Sequence, residues 1–180
     1  MVVKTIEKTH NLILPDPISV ERIELLKSKG IAETIASFDL EMVKMKMTEP
    51  DEGIGWTVEQ CEDAEIEYKR FLTLCIHYPF PNYSIVPNKI MDTMWHYHIL
   101  DTRAYHRDCE SAFGGYFHHF PYFGLRGEED AINLKNAFES TKELYLILFG
   151  ESLVRESASD CWHDCENRCW NACSKDDKFS

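Results

Sequence analysis

Residues 90–109, IMDTMWHYHILDTRAYHRDC, bring Asp92, His96, His98, Asp101, His106, Asp108 and Cys109 into one short stretch. These are side-chain types that ligate first-row metals or carry protons near neutral pH. A first-row ion needs three or four nitrogen, sulfur or oxygen donors at about 2.0–2.3 Å. Asp92 and His96 stand at i and i+4, so on a helix they share a face and can offer one carboxylate and one imidazole to the same ion. A third ligand can come from His118 or His119 in the following YFHHFPYFGLRG segment. If that segment is extended, the two histidines point to opposite sides and only one can turn inward. Two histidines and one carboxylate leave positions open for water or substrate, as hydrolytic zinc and oxygen-activating iron both require.

His98 is a separate matter. At about 100° per residue it points about 200° away from His96, so the W-H-x-H run is not two ligands on one ion. It falls instead on an arc with Met91, Trp95, Thr102, Tyr105, Cys109 and Phe113, which reads as the buried stripe of the helix. There it is either a ligand, a core histidine bonded to a neighbour, or part of a polar cluster with Thr102 and Tyr105. A buried histidine beside the Tyr105 phenol and the Cys109 thiol also offers metal-free acid–base chemistry. Asp92 and His96 have their own plainer reading, a pair on the helix surface.

A second concentration of reactive groups closes the chain. In DCWHDCENRCWNACS, Cys161, Cys165, Cys169 and Cys173 recur every four residues. On a helix they fill an arc about 120° wide and about 18 Å long, too long for one ion to reach all four thiolates. Two C-x₃-C pairs can each give two ligands to zinc or Cu(I), completed by His163, a fold-back or a second chain. Alternatively Trp162, Trp170 and the thiols form an apolar face that docks on the body. The layout of a folded body, a polar linker and a compact thiol-rich tail also suits a precursor whose tail a partner enzyme modifies.

These groups require a frame, and the chain can supply one. Its 180 residues are 44% hydrophobic, enough for a single core with an appendage. Ser19 marks the start of a helix ending at Gly30, and apolar spacing continues over 31–47. Thr57 and Gln60 form a capping-box pattern opening a helix over 58–77, which should pack on the central one. A proline-punctuated loop follows, and Asn88 caps the His-rich helix, expected to run unbroken until Gly114 and Gly115. The aromatic segment after it reads as a loop folding back over the helices, and an acidic first turn opens a last helix over 128–149. The net charge of −12 argues against nucleic acid and anionic membranes as partners. There is no long apolar run and no secretion-type amino terminus, and the odd count of seven cysteines suits thiols in a reducing compartment. A soluble, cytoplasmic protein is expected.

Residues 91–131 resemble the central block of the glycine-rich domain-containing protein family, whose pattern runs roughly D-x-x-W-H-x-H-x-L, then Y-x-x-D-C, then an aromatic-glycine pair and a histidine. The matching positions are Asp92, Trp95, His96, His98, Leu100, Tyr105, Asp108, Cys109, Phe113, Gly114 and one of His118 and His119. The resemblance brings no activity with it, and the glycine-rich and RNA-binding segments of the larger plant members are not visible here.

The expectation is a mainly α-helical protein: a single helical domain over 1–150 around a central His-rich helix, a polar linker over 151–159 and a Cys-rich tail over 160–180. Its function reads as metal binding (zinc, iron or copper) by Asp92, His96, His98, His118 or His119 in the body, by Cys161, Cys165, Cys169 and Cys173 in the tail, or by both. A metal-dependent or acid–base enzyme centred on His96 and His98 is the first alternative. The second is a precursor with a modified tail, whose partner is a modifying enzyme or a metal donor.

Overall fold

The computed structural model describes residues 14–153, and within them the protein is helical throughout, with seven α-helices and no strand. The expected tail, its four cysteines and most of the linker lie outside the described residues. No helix among the described residues is long and apolar enough to cross a membrane.

The helix starts follow from short-range hydrogen bonds. Ser19 accepts from the Arg22 amide and opens α1, Val20–Ser28. Thr57 and Gln60 exchange reciprocal bonds of 3.2 and 2.8 Å at the start of α4, Val58–His77, forming the capping box. Asn88 accepts from the Met91 amide and opens α5, Lys89–Leu100.

Two expected helices are each broken. The 31–47 pattern divides into α2, Glu33–Ala36, and α3, Glu41–Thr48. Between them the Asp39 carboxylate accepts from the amides of Ile18 and Glu41, an aspartate competing for backbone donors as such residues do at turns. The central helix also divides. Asp101, at ψ 73°, leaves the helical region and caps α6, Thr102–Phe113, by accepting from the Ala104 amide. Helical spacing therefore does not carry across Asp101, and Thr102, expected beside His98, is exposed. Gly114, at φ 69°, ends α6 in the left-handed conformation that glycine adopts without strain and turns the chain back toward α5.

α4 is the element the others pack on. It contacts α2, α3, α5 and α7, Glu128–Phe149. The main helix contact of α7 is α4, where Arg70 donates to the Tyr145 hydroxyl and that hydroxyl donates to the Glu67 carboxylate. A helix covered on several sides must pair every polar group it carries inward. The Lys69 ammonium donates to the carbonyls of Ala36 and Phe38, acceptors freed where α2 stops, and pairs with Glu65 at 2.7 Å. Glu65 in turn holds Arg22 at 2.8 Å and Lys44 at 3.0 Å.

Burial alone would raise the Glu65 carboxyl, but the ammonium groups of Lys69 and Lys44 hold it down to about 2 from an ordinary 4.5. Because the folded value lies below the unfolded one, its stabilising contribution is complete above pH 4.5 and is lost as pH falls from there toward 2. Glu65→Gln, which leaves Lys69 buried without its counter-charge, should cost about 3–5 kcal/mol at pH 7. Urea unfolding at pH 7 and at pH 3 checks both points: the variant starts lower and loses less between the two pH values than the wild type.

Candidate metal centre

α5 presents Asp92 and His96 on one face, one turn apart, and the loop after Gly114 lays His119 on them. His119 Nε2 lies 2.8 Å from Asp92 Oδ1 and 3.2 Å from His96 Nε2, and His96 Nε2 lies 3.7 Å from Asp92 Oδ2. The side chains of Asp92 and His119 are 12% and 13% exposed, that of His96 53%, so the cluster is open on one side. Of the paired histidines it is His119 that turns inward. His118 is exposed, packs beside Tyr116 and lines the adjoining cavity without joining the cluster.

The loop is held by a chain of hydrogen bonds that starts in the core. Trp95 Nε1 donates to the Tyr105 hydroxyl at 2.8 Å, and that hydroxyl donates to the Phe117 carbonyl in a very short bond. The Phe117 ring lies flat between Phe113, at 4.5 Å, and Trp95, at 5.2 Å, and Trp95 meets the His119 ring edge-on at 4.4 Å. Tyr105 thus ties α5, α6 and the His119 loop together. Reading Tyr105 as part of the buried stripe captured its burial but not this role, since its acceptor lies in a loop twelve residues away.

Protons alone satisfy the cluster poorly. If His119 Nε2 carries its proton toward Asp92, it has no lone pair to accept from His96. If it instead accepts from His96, its lone pair faces the carboxylate oxygen at 2.8 Å. A cation between the three atoms removes the conflict. Donors at about 2.0–2.2 Å from one ion, at angles between octahedral and tetrahedral, sit roughly 3–3.5 Å apart. The two contacts of His119 are close to that range, and the half-exposed His96 ring, whose 3.7 Å contact is with Asp92 Oδ2, can swing toward Oδ1 and His119.

His98 belongs elsewhere. It is 1% exposed, with Nδ1 at 3.1 Å from the Tyr68 hydroxyl and Nε2 at 3.2 Å from Asp108 Oδ2. The tautomer satisfying every group has Tyr68 donating to Nδ1 and Nε2–H donating to Asp108. This corrects the readings of His98 as a metal ligand and as an open acid–base group: both ring nitrogens are committed to partners on α4 and α6. The expected Tyr105 and Cys109 companions are no readier to move protons, because burial pushes the phenol and the thiol above their ordinary values.

A second acidic group, Glu41, Glu62 and Glu65, has comparable spacing. The Lys44 ammonium already fills it, 2.7, 2.5 and 3.0 Å from the three carboxylates, so it is an ion-pair network. It went unread in the sequence because Lys44 and Arg22 meet α4 only in the fold.

Beside Asp92 and His119 opens a cavity of about 290 Å³, walled by Phe71, Trp95, Phe117 and Phe123 and by the 78–87 loop. Cys75 also lines it, and burial pushes that thiol well up, so it presents a neutral, apolar surface.

The sequence profile described as UCP032817-like matches residues 32–143, well over half of the chain. The chain belongs to the UCP032817-like family. The family match spans α2 through most of α7, and so includes Asp92, His96, His119, Tyr105 and the whole cavity wall. No curated protein and no solved structure matches the chain.

Replacing His98 by Ala strands the Asp108 carboxylate and the Tyr68 hydroxyl in the core, at a cost of about 3 kcal/mol or more. Chemical denaturation should show that loss, whereas His96→Ala, at an open position, should fall within about 0.5 kcal/mol of wild type.

Proposed function

We propose that the protein binds one divalent transition-metal ion through Asp92 Oδ1, His96 Nε2 and His119 Nε2. The observation that carries this reading is the position of His119 Nε2, in close contact with a carboxylate oxygen and an imidazole nitrogen that a single N–H can serve together only by dividing itself between them. Two imidazoles and one carboxylate suit zinc or iron(II); Cu(I), which prefers sulfur, is the poorest match to these donors. Three protein ligands leave further positions to water or another ligand, which distinguishes the centre from a closed structural zinc site. The tail thiolates remain a second proposed site, for zinc or Cu(I) or for a modifying enzyme or metal donor, and rest on their spacing.

Chain purified without a metal-affinity tag should take up about one zinc ion in the body, and this should persist when Cys161, Cys165, Cys169 and Cys173 are all changed to Ser. Elemental analysis and zinc titration decide it: retention below about 0.1 ion per chain in the variant without tail cysteines sinks the reading. His119→Ala should abolish body uptake. Tyr105→Phe, which keeps the ring but frees the Phe117 carbonyl, should weaken affinity by about 10–100-fold, as loss of an outer positioning bond does.

A further inference from the structure

We propose that the cavity beside Asp92 and His119 is the ligand site of the metal centre, and that it takes a small aromatic monoanion: an apolar body of one or two rings bearing one anionic oxygen donor. The inference rests on the metal reading above and adds the chemistry of what completes the coordination.

Shape and lining define the apolar body. At about 290 Å³ the cavity lies at the lower end of small-molecule sites, enough for one or two rings. Its walls are aromatic rings and aliphatic groups from four elements: Phe71 of α4, Trp95 of α5, and Ile85 and Phe123 of the two loops. Two of its aromatic residues stand at the rim largely in water, Phe80 at 82% and Phe120 at 54% exposed. Large aromatic groups left exposed around a concavity, while Trp95 and Phe71 are sealed beneath them, mark a mouth that an apolar partner covers.

Charge defines the oxygen donor. Among the described residues that line the cavity there is no Lys or Arg, and the sole formal charge is Asp92. A divalent ion held by Asp92 and two neutral imidazoles carries a net charge of about +1 into this apolar space. One monoanionic oxygen brings the centre to neutrality. A second negative charge on the ligand would find no lysine or arginine in the lining: the nearest cationic groups are the exposed His118 and, over the rim ring of Phe120, Arg126, which is already paired with Asp130, so its burial is unfavourable. Phosphates and dicarboxylates are thereby disfavoured, and a neutral hydrocarbon forgoes the bond to the ion.

The test uses the full chain, loaded with zinc or stripped by chelator, with 1-naphthoate as probe and acetate and naphthalene-1,4-dicarboxylate as controls, measured by isothermal titration calorimetry. The expected result is 1-naphthoate binding at least about tenfold tighter to the zinc form than to the stripped form, and tighter than either control to the same degree, each tenfold being the usual discrimination of one good contact. Ser84→Trp, at an exposed rim position, should keep zinc and lose naphthoate at least about tenfold. If the chain takes up no zinc, the metal reading falls and this inference falls with it. If zinc binds but naphthoate does no better than acetate, or ignores both the zinc and the Ser84→Trp change, the cavity inference alone is overturned.

Discussion

A buried ammonium group sets the terms for this fold. Lys69 lies in the middle of α4 with no exposure, and burial pulls its pKa below the ordinary lysine value against the opposing pull of Glu65. It is tolerated because three acceptors meet it: the Glu65 carboxylate and the Ala36 and Phe38 carbonyls. Those carbonyls are free because α2 ends at Ala36, so the break that divides one expected helix and the lysine of another solve each other's problem. Glu65 then requires Lys44 and Arg22, and this ties α1 and α3 to the same stretch of α4. Such a network adds little over an apolar core, but each member is costly to remove singly.

The opposite face of α4 is organised by apolar and aromatic contact. Phe71 packs on Trp95, and Tyr68 bonds His98, so α5 is fixed in rotation about its own axis. Fixing that rotation is what aims Asp92 and His96 outward. The two histidines of the W-H-x-H run thus have complementary jobs: His98 inside locks the helix, and His96 outside stands ready for a ligand. The Trp95–Tyr105–Phe117 chain then converts core rigidity into placement of His119, a loop residue that would otherwise have no fixed position.

The same aromatic construction makes the cavity. Trp95 and Phe117 are at once the support of His119 and part of the cavity wall, so ion and ligand would share one set of walls. Loop 78–88 closes the other side and is itself pinned, since the Val86 amide donates to Thr141 of α7. That bond, together with Leu134 in the cavity wall, gives α7 a part in shaping the cavity.

What the sequence by itself determined were the features made within one or two turns. The capping pairs at Ser19, Thr57 with Gln60, and Asn88, and the glycine stops at Gly114 and Gly150, are local hydrogen bonds and local backbone preferences, and they can be read from spacing. The shared face of Asp92 and His96, and the opposition of His96 to His98, are likewise helix geometry. The division at Asp101 was local too, but an aspartate inside an apolar period is ambiguous until its cap bond is seen. Tertiary structure alone decided which histidine of the 118–119 pair turns inward, because the choice depends on Tyr105 gripping the Phe117 carbonyl and on Trp95 packing against His119. It alone decided that His98 is sealed between Tyr68 and Asp108, and that Lys44 fills the acidic cluster. Each of these depends on at least one contact between residues ten to thirty positions apart, with an energy that depends on burial, and no periodicity along the chain records it.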